Sequence, residues 1–223
     1  MSLKLKVLGL GLLAVMATSA VMVMNASANT PANSHFTAEP VGEDHVIIKG
    51  SDSFGTAHQL VFTPDTGGAG ISCTDATYHG TVSGLAATTT QAILVRPHYT
   101  QCATTSGTWG EVNVDVPTSC GTSVYEFTSG NPGTIHVRCE ITITHPNCTI
   151  RVTPQTANGA TYETITESNK HAITVKINAP GIVSHYEGGI CIFLGTNHTA
   201  TMAGTSTVWG ENTIGGRVGI TAT

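Results

Sequence analysis

Charged residues are scarce in this sequence. Asp, Glu, Lys and Arg make up 10% of the chain, against about 25% in an average soluble domain. Acidic residues outnumber basic ones, with 14 Asp and Glu against 9 Lys and Arg. Proteins that bind nucleic acids or anionic membranes need clustered Lys and Arg. The composition therefore argues against a nucleic-acid partner and, for the mature chain, against a membrane partner.

Motifs for metal binding and catalysis are also missing. The cysteines and histidines form no C-x-x-C or H-x-x-x-H pair of the kind found in zinc sites. The serines form no Gly-x-Ser-x-Gly elbow of an α/β-hydrolase. The acidic residues Glu43, Asp44, Asp52, Asp65 and Asp75 lack the regular spacing of a calcium loop. We therefore predict a protein that is not an enzyme and has no catalytic residues, no metal site and no cofactor.

The N-terminus is the one strongly apolar part of the chain. Residues 1–6 carry two lysines, residues 7–24 are apolar, and Ala26 and Ala28 form a small-residue cleavage site. These three parts are typical of a secretory signal peptide, which we expect to be cleaved after Ala28. An uncleaved anchor is the alternative, because the apolar run approaches the length that spans a bilayer. The interpretation we favour is a secreted, extracellular protein.

All of the cysteines follow the expected cleavage site. They are Cys73, Cys102, Cys120, Cys139, Cys148 and Cys191. An even number of cysteines behind a signal peptide predicts three disulfides. Many pairings are possible, and we favour Cys73–Cys102, Cys120–Cys139 and Cys148–Cys191, because closing nearby loops costs the least entropy.

The mature chain shows no convincing apolar repeat of 3.6 residues, so a helical bundle is excluded. It contains many short alternating runs separated by Gly, Pro and Asn. This pattern predicts an all-β fold, an antiparallel β-sandwich, either one large or two small, stapled by disulfides. We divide the chain into a signal peptide over 1–28, an N-terminal β region over 29–117 and a C-terminal β region over 118–223. The two β regions could also form one domain.

The clearest alternation lies between Thr134 and Pro154. Odd-numbered apolar residues predict one strand over 134–144, and even-numbered ones predict its partner after Pro146-Asn147. Opposed residues share a face, so the loop must contain an even number of residues, and we predict four. The predicted pairs are Ile143 with Cys148, Ile141 with Ile150 and Cys139 with Val152.

Two further hairpins are predicted near the C-terminus. Residues 160–166 and 171–177 flank the turn Glu167-Ser-Asn-Lys170. Residues 181–186 and 189–194 flank Glu187-Gly188. Each turn combines the small or polar residues that tight turns favour.

Aromatic residues make up only 5% of the chain. Five of them could form a surface on which sugars stack, although core packing is the interpretation we favour. These five are Trp109, Trp209, Tyr78, Tyr99 and Tyr186.

Three segments carry a resemblance. They are Ile71-Ser-Cys-Thr74, Arg96-Pro-His-Tyr-Thr-Gln-Cys102 and Val208-Trp-Gly-Glu-Asn-Thr-Ile-Gly-Gly-Arg-Val-Gly-Ile220. Together with the signal peptide and the cysteine-containing hairpin, they make the chain similar to a group of secreted, cysteine-containing β proteins of Gram-positive soil actinobacteria. The resemblance implies secretion and a β fold, and it implies no activity.

We expect a secreted, non-enzymatic structural or adhesive protein of the cell exterior, with a second copy or a cell-surface glycan as its candidate partner. The first alternative is a lectin-like carbohydrate-binding module. The second is a secreted hydrolase whose site has no recognisable motif. The sequence alone assigns no binding residues.

Overall fold

The computed structural model of the protein describes residues 36–39, 47–51, 60–65, 67, 70–82, 92–105, 112–121, 124–128, 132–188, 197–212 and 214–222. The predicted signal peptide, residues 1–28, lies outside them. The described residues form fourteen strands and a short 3-10 helix at Thr118–Cys120. No helix among them is long and apolar enough to cross a membrane.

The strands, β1 to β14 in chain order, are Phe36–Glu39, Ile47–Ser51, Leu60–Pro64, Ile71–Val82, Ala92–Thr104, Asn113–Asp115, Tyr125–Thr128, Gly133–Val137, Ile141–His145, Cys148–Val152, Gln155–Glu167, Lys170–Glu187, Asn197–Glu211 and Arg217–Ala222. Each pairing between them is antiparallel. The all-β antiparallel class is therefore confirmed.

The hairpin of β11 and β12 forms as predicted. Glu167 pairs with Lys170, and the ladder runs back to Ala160 and Ile177. The two turn residues, Ser168 and Asn169, have φ of 53° and 61°. Positive φ at both central positions is the geometry of a type I′ turn, whose twist matches that of the two strands.

The hairpin of β9 and β10 forms with a different register from the predicted one. Its loop contains two residues, Pro146 and Asn147, and its pairs are His145 with Cys148, Ile143 with Ile150 and Ile141 with Val152. The predicted four-residue loop is therefore wrong, as are the predicted pairs Ile143–Cys148, Ile141–Ile150 and Cys139–Val152. The prediction of an even number of loop residues was right, so the buried faces of β9 and β10 still lie on the same side of the hairpin. The shorter loop extends the ladder to the turn and pairs backbone groups that a longer loop would leave unpaired.

The predicted strand over 134–144 is interrupted in the structure. β8 ends at Val137 and pairs with β7 and β11, whereas β9 begins at Ile141 and pairs with β10 and β6. Cys139 lies in the corner between them, half-buried and outside both strands. The sequence alternation hides this corner because β8 and β9 both bury their odd-numbered residues.

The predicted hairpin around Glu187-Gly188 is wrong in its register. β12 pairs with β13 so that Ser184 lies opposite His198 and His185 opposite Asn197. The connection between the two strands is therefore longer than a tight turn. Residues 189–194, the predicted second strand, lie outside the described residues.

The pairings make one continuous sheet where the sequence predicted a sandwich of two. They close on themselves twice. The first ring runs through β2, β4, β5, β7, β8, β11, β12 and β13 and back to β2. The second ring runs through β3, β4, β5, β6, β9, β10, β12 and β13 and back to β3. In the second ring, β5 is joined to the segment that carries β6 by an isolated bridge. This bridge links Cys102 to Val112, the residue directly before β6.

Four long strands, β4, β5, β12 and β13, belong to both rings. Strands from regions 29–117 and 118–223 follow one another around each ring, since β5 pairs with β7 and β13 pairs with β2 and β3. The buried side chains form a single apolar cluster. The two regions therefore share one core.

The inward face of β4 and β5 changes phase where the two rings meet. Cys73 and Cys102 point inward in the second ring, whereas Ala76 and Tyr99 point inward in the first. Gln101, between the two segments of β5, has a φ of 52°. β12 makes the same change by a bulge between Ala179 and Ile182. Such irregularities let a long strand turn a corner and bury opposite residue parities on its two sides.

Candidate functional site

Two of the three predicted disulfides are present. Cys73 and Cys102 lie directly opposite each other in β4 and β5, with 4.0 Å between their Cα atoms. Cys120 and Cys139 join the 3-10 helix to the corner after β8, with 6.0 Å between their Cα atoms. Cys148 carries no free thiol. Its predicted partner, Cys191, lies outside the described residues, so the bridge Cys148–Cys191 stays a prediction.

The tyrosines that could have formed a sugar-stacking surface lie in the core. Tyr78, Tyr99 and Tyr186 are buried, which confirms the core-packing interpretation for these three. Trp209 is half-buried on the outer face of β13, and the Arg217 guanidinium lies over its ring, 5.0 Å from the centroid. Trp109 lies outside the described residues.

A small apolar cavity lies at the centre of each ring. The cavity in the second ring measures about 40 Å³ and that in the first about 20 Å³. Tyr99 and Tyr125 border both cavities, and the Tyr99 hydroxyl donates to that of Tyr125 at 3.2 Å. Pockets for organic ligands usually measure roughly 300–1,000 Å³. These cavities therefore belong to the packing of the core.

The buried Tyr125 should make the fold sensitive to alkali. Burial raises the pKa of Tyr125 from 10.0 to about 12, and the hydrogen bond from Tyr99 opposes this rise. A raised phenol pKa stabilises the fold fully below pH 10, and this contribution disappears as the pH rises through 12. We expect the free energy of unfolding to fall by about 2–3 kcal/mol over this interval because of Tyr125. Urea unfolding measured at successive pH values tests this, and Tyr125→Phe should show a smaller fall.

The outer surface shared by β12, β13, β3, β4 and β5 carries few charged side chains. One row of laterally paired residues crosses all five strands and consists of Asn178, Ala203, Val61, Ser72 and Ala103. Their inward neighbours, such as Phe62 and Met202, are buried, so this row points outward. Hydroxyl, amide and methyl groups flank it, together with Lys176 beside Asn178, and the Asp65 carboxylate accepts a hydrogen bond from the Thr201 hydroxyl at 3.1 Å. We call the following set the uncharged face: Val61, Thr63, Ser72, Thr74, Thr77, Gln101, Ala103, Thr174, Asn178, Thr201, Ala203, Thr205 and Thr207.

Hydroxyl groups on the uncharged face lie next to each other across strands. Thr201 pairs with Thr63, and Thr207 with Thr174. The Thr74 hydroxyl donates to the Gln101 side-chain oxygen at 3.1 Å. Neighbouring strands lie about 4.8 Å apart, and alternate residues along a strand about 6.7 Å apart. The face is therefore a regular array of small polar and apolar groups.

The ion pairs among the described residues involve no residue of the row from Asn178 to Ala103. Lys176, the charged residue between Thr174 and Asn178, turns toward β11 and binds Glu163 at 3.0 Å. The others join Arg138 to Glu126 at 2.7 Å, Arg151 to Glu140 at 2.9 Å and to Glu187 at 3.3 Å, and Arg217 to Glu167 at 2.6 Å. Cross-strand pairing with Glu163 thus neutralises Lys176, the basic residue beside the row.

Sequence reasoning missed two side chains that hold backbone in place. The Arg96 guanidinium donates to the carbonyl oxygens of Val116, Pro117 and Gly121. The Gln155 amide binds both the N–H and the carbonyl of Val183, at 2.7 and 2.8 Å. Arg96 stood in a segment that the sequence singled out, but neither residue has a local pattern that reveals its distant partner.

Among the described residues, no group of three or more His, Cys, Asp and Glu side chains could hold a metal ion. The polar groups that the structure brings together in an ordered pattern are those of the uncharged face, which makes it the candidate site. No protein-family model, no curated protein and no solved structure matches this chain.

Proposed function

We propose that this protein is a secreted structural or adhesive protein of the cell exterior that binds a neutral polysaccharide through the uncharged face. The observation that carries the proposal is the row from Asn178 to Ala103, which spans five strands without a charge. The disulfides support an extracellular location, since they persist in oxidising compartments.

The chemistry of the face suits a neutral hydroxylated partner. Each Thr or Ser hydroxyl can donate one hydrogen bond and accept two, as sugar hydroxyls do. Val61, Ala103 and Ala203 add methyl groups that can pack on the apolar faces of sugar rings. Binding along the row from Asn178 to Ala103 covers no charged side chain of the row itself, and desolvating a charge would be costly. A charged polymer would gain nothing from this surface.

A second copy of the chain fits the face less well. The face lies on the outside of a closed, curved sheet, so two copies would meet convex side to convex side. A stable protein interface buries about 800 Å² on each partner with close complementarity. A polysaccharide chain, by contrast, can lie along the rows of a convex surface.

The lectin-like alternative lacks an open aromatic platform among the described residues. Trp209 is half-buried on the outer surface, and the Arg217 guanidinium already covers a face of its ring. Arg217 is in turn held by Glu167. A sugar that stacked on this face of the indole would have to displace an ion-paired guanidinium. Repeated weak contacts along a polymer fit this surface better than one deep sugar subsite.

Co-sedimentation of the secreted protein with insoluble cellulose or chitin tests the proposal. Ala103→Glu places an unpaired charge on the exposed end of the row and should weaken binding at least about tenfold, which corresponds to 1.4 kcal/mol. The matched control, Thr156→Glu, adds the same charge at an exposed position where β11 pairs with β8, and should bind normally.

The salt dependence and the oligomeric state give the opposing outcomes. Binding through an uncharged face should change little between low and high salt, because there is little charge to screen. Equal binding by Ala103→Glu and the wild-type protein would contradict the proposal. Self-association in sedimentation velocity that Ala103→Glu abolishes, with no polysaccharide binding, would assign the face to a second copy.

A further inference from the structure

A polar pair, the buried Tyr186 and the half-buried His198, lies on the inner side of the second ring, away from the uncharged face. Tyr186 on β12 is only 3% exposed, and His198 on β13 points toward the same interior. The two rings meet edge to face, with 5.0 Å between their centroids and 85° between their planes. This contact holds both side chains at fixed positions.

Each side chain of the pair has a buried polar atom without a partner. Neither the Tyr186 hydroxyl oxygen nor the His198 Nε2 makes a hydrogen bond. The neighbouring Ser184 hydroxyl donates instead to the carbonyl oxygen of His198, at 3.3 Å. Native proteins seldom leave buried polar atoms unsatisfied, because each one forfeits its hydrogen bond to water. Two such atoms in contacting rings therefore indicate an occupant.

We propose that the Tyr186–His198 pair binds one hydroxyl group, either of a water molecule or of a glycan, between the phenol oxygen and Nε2. A hydroxyl group both donates and accepts, so it can satisfy a phenol and either tautomer of an imidazole. Buried waters usually make about three hydrogen bonds to groups that would otherwise be unsatisfied.

Charge chemistry at the pair favours a neutral occupant. Burial raises the pKa of Tyr186, the nearby Ser184 side chain lowers it, and the Asp65 carboxylate raises it to a smaller extent. The phenol therefore stays protonated, whereas a metal ion would need the phenolate. The same Asp65 carboxylate would repel an anion.

Tyr186→Phe separates an occupied site from an empty one. If a hydroxyl is bound, the substitution removes its hydrogen bond and should raise the equilibrium constant for unfolding about tenfold. If the site is empty, phenylalanine removes an unsatisfied buried oxygen, so the constant should stay the same or fall both in buffer and with added cello- or chito-oligosaccharide, and that result would overturn the proposal. The matched control is Tyr162→Phe, because the Tyr162 hydroxyl has a visible partner, the Thr128 carbonyl at 3.0 Å. It should raise the constant to a similar extent.

A double-mutant cycle with His198→Phe tests whether the two atoms share one occupant. Each substitution keeps an aromatic ring in place and removes one polar atom. A shared hydroxyl predicts that the second substitution costs less than it does alone, whereas additive effects would overturn the proposal. If one variant fails to fold, the exchange of the Tyr186 hydroxyl proton with solvent is measured by NMR in the wild-type protein instead. Slow exchange would support a hydrogen-bonded hydroxyl, and fast exchange would contradict it.

The source of the hydroxyl follows from the conditions under which the Tyr186→Phe effect appears. A loss of stability in buffer alone identifies water. A loss that appears only with added cello- or chito-oligosaccharide identifies a sugar hydroxyl. A loss that dialysis against EDTA abolishes would identify a metal ion and overturn the proposal. None of these results depends on polysaccharide binding at the uncharged face.

Discussion

Replacing Gly80 with alanine should lower the free energy of unfolding by about 3 kcal/mol or more. Gly80 lies in β4 between Ile48 of β2 and Val95 of β5, inside the first ring. A Cβ atom there would lie 1.9 Å from the carbonyl oxygen of Leu94 and 2.8 Å from the Cα of Val95. Both are backbone atoms of a paired strand and cannot rotate away. Overpacking in a core already costs about 1–3 kcal/mol, and a backbone collision should exceed this.

Urea unfolding of Gly80→Ala with the disulfides intact gives the measurement. Gly216→Ala is the matched control, because a Cβ there would approach only side-chain atoms of Asn212, at 3.1 Å. Those atoms can move, so the control should lose less than about 1 kcal/mol. A loss below about 1 kcal/mol for Gly80→Ala would mean that β4 and β5 can separate without cost, contrary to the described pairing.

Replacing Arg96 with alanine should cost about 3 kcal/mol, the second large effect. Its guanidinium donates to the carbonyls of Val116, Pro117 and Gly121, and thereby holds the 3-10 helix that carries Cys120. Hydrogen bonds from charged donors contribute about 1.5–3 kcal/mol each, and water will replace part of this at a half-exposed site. Arg96→Lys should recover little, because an ammonium lacks the planar fork that reaches several carbonyls.

The control for Arg96 is Arg138, whose guanidinium binds Glu126 at 2.7 Å on an exposed part of the surface. Arg138→Ala should cost no more than about 1 kcal/mol, as exposed ion pairs do. Denaturant unfolding of the three variants separates the alternatives. If the Arg96→Lys variant were as stable as the wild-type protein, a positive charge alone would be enough to hold the segment around the 3-10 helix.

The sequence was enough to predict the strands, turns and disulfides that depend on residues close together in the chain. Alternation identified the strand-forming residues from β8 to β12, although it joined β8 and β9 into one strand, and Ser168-Asn169 located the turn between β11 and β12. The pairings Cys73–Cys102 and Cys120–Cys139 followed from short loop closure. Each of these features joins residues that lie close together in the sequence.

Features that depend on distant partners could not be predicted. The run from Ile71 to His79 shows a weak alternation because β4 buries odd-numbered residues in one ring and even-numbered ones in the other. The corner after Val137 preserves the alternation of apolar residues, so the sequence gives no sign of it. Both features arise from the meeting of the two rings, which no single segment encodes.

The candidate site could not be predicted for the same reason. Threonine and serine are common on exposed strands, so Ser72 or Thr201 alone indicates nothing. The uncharged face exists because the register aligns β12, β13, β3, β4 and β5 laterally. The orphaned atoms of Tyr186 and His198 likewise became visible only once burial was known. A reader of the sequence sees ten histidines without a reason to choose one.

The four shared strands also set the order in which the chain can fold. β13 spans Asn197–Glu211, and it pairs with β2, β3 and β12 and so closes both rings. During synthesis neither ring can close before β13 has emerged. β2 and β3 can pair early with β4, but their second partner follows about 150 residues later, and such non-local pairing slows folding. A chain delivered from its N-terminus therefore keeps both rings open until β13 has emerged.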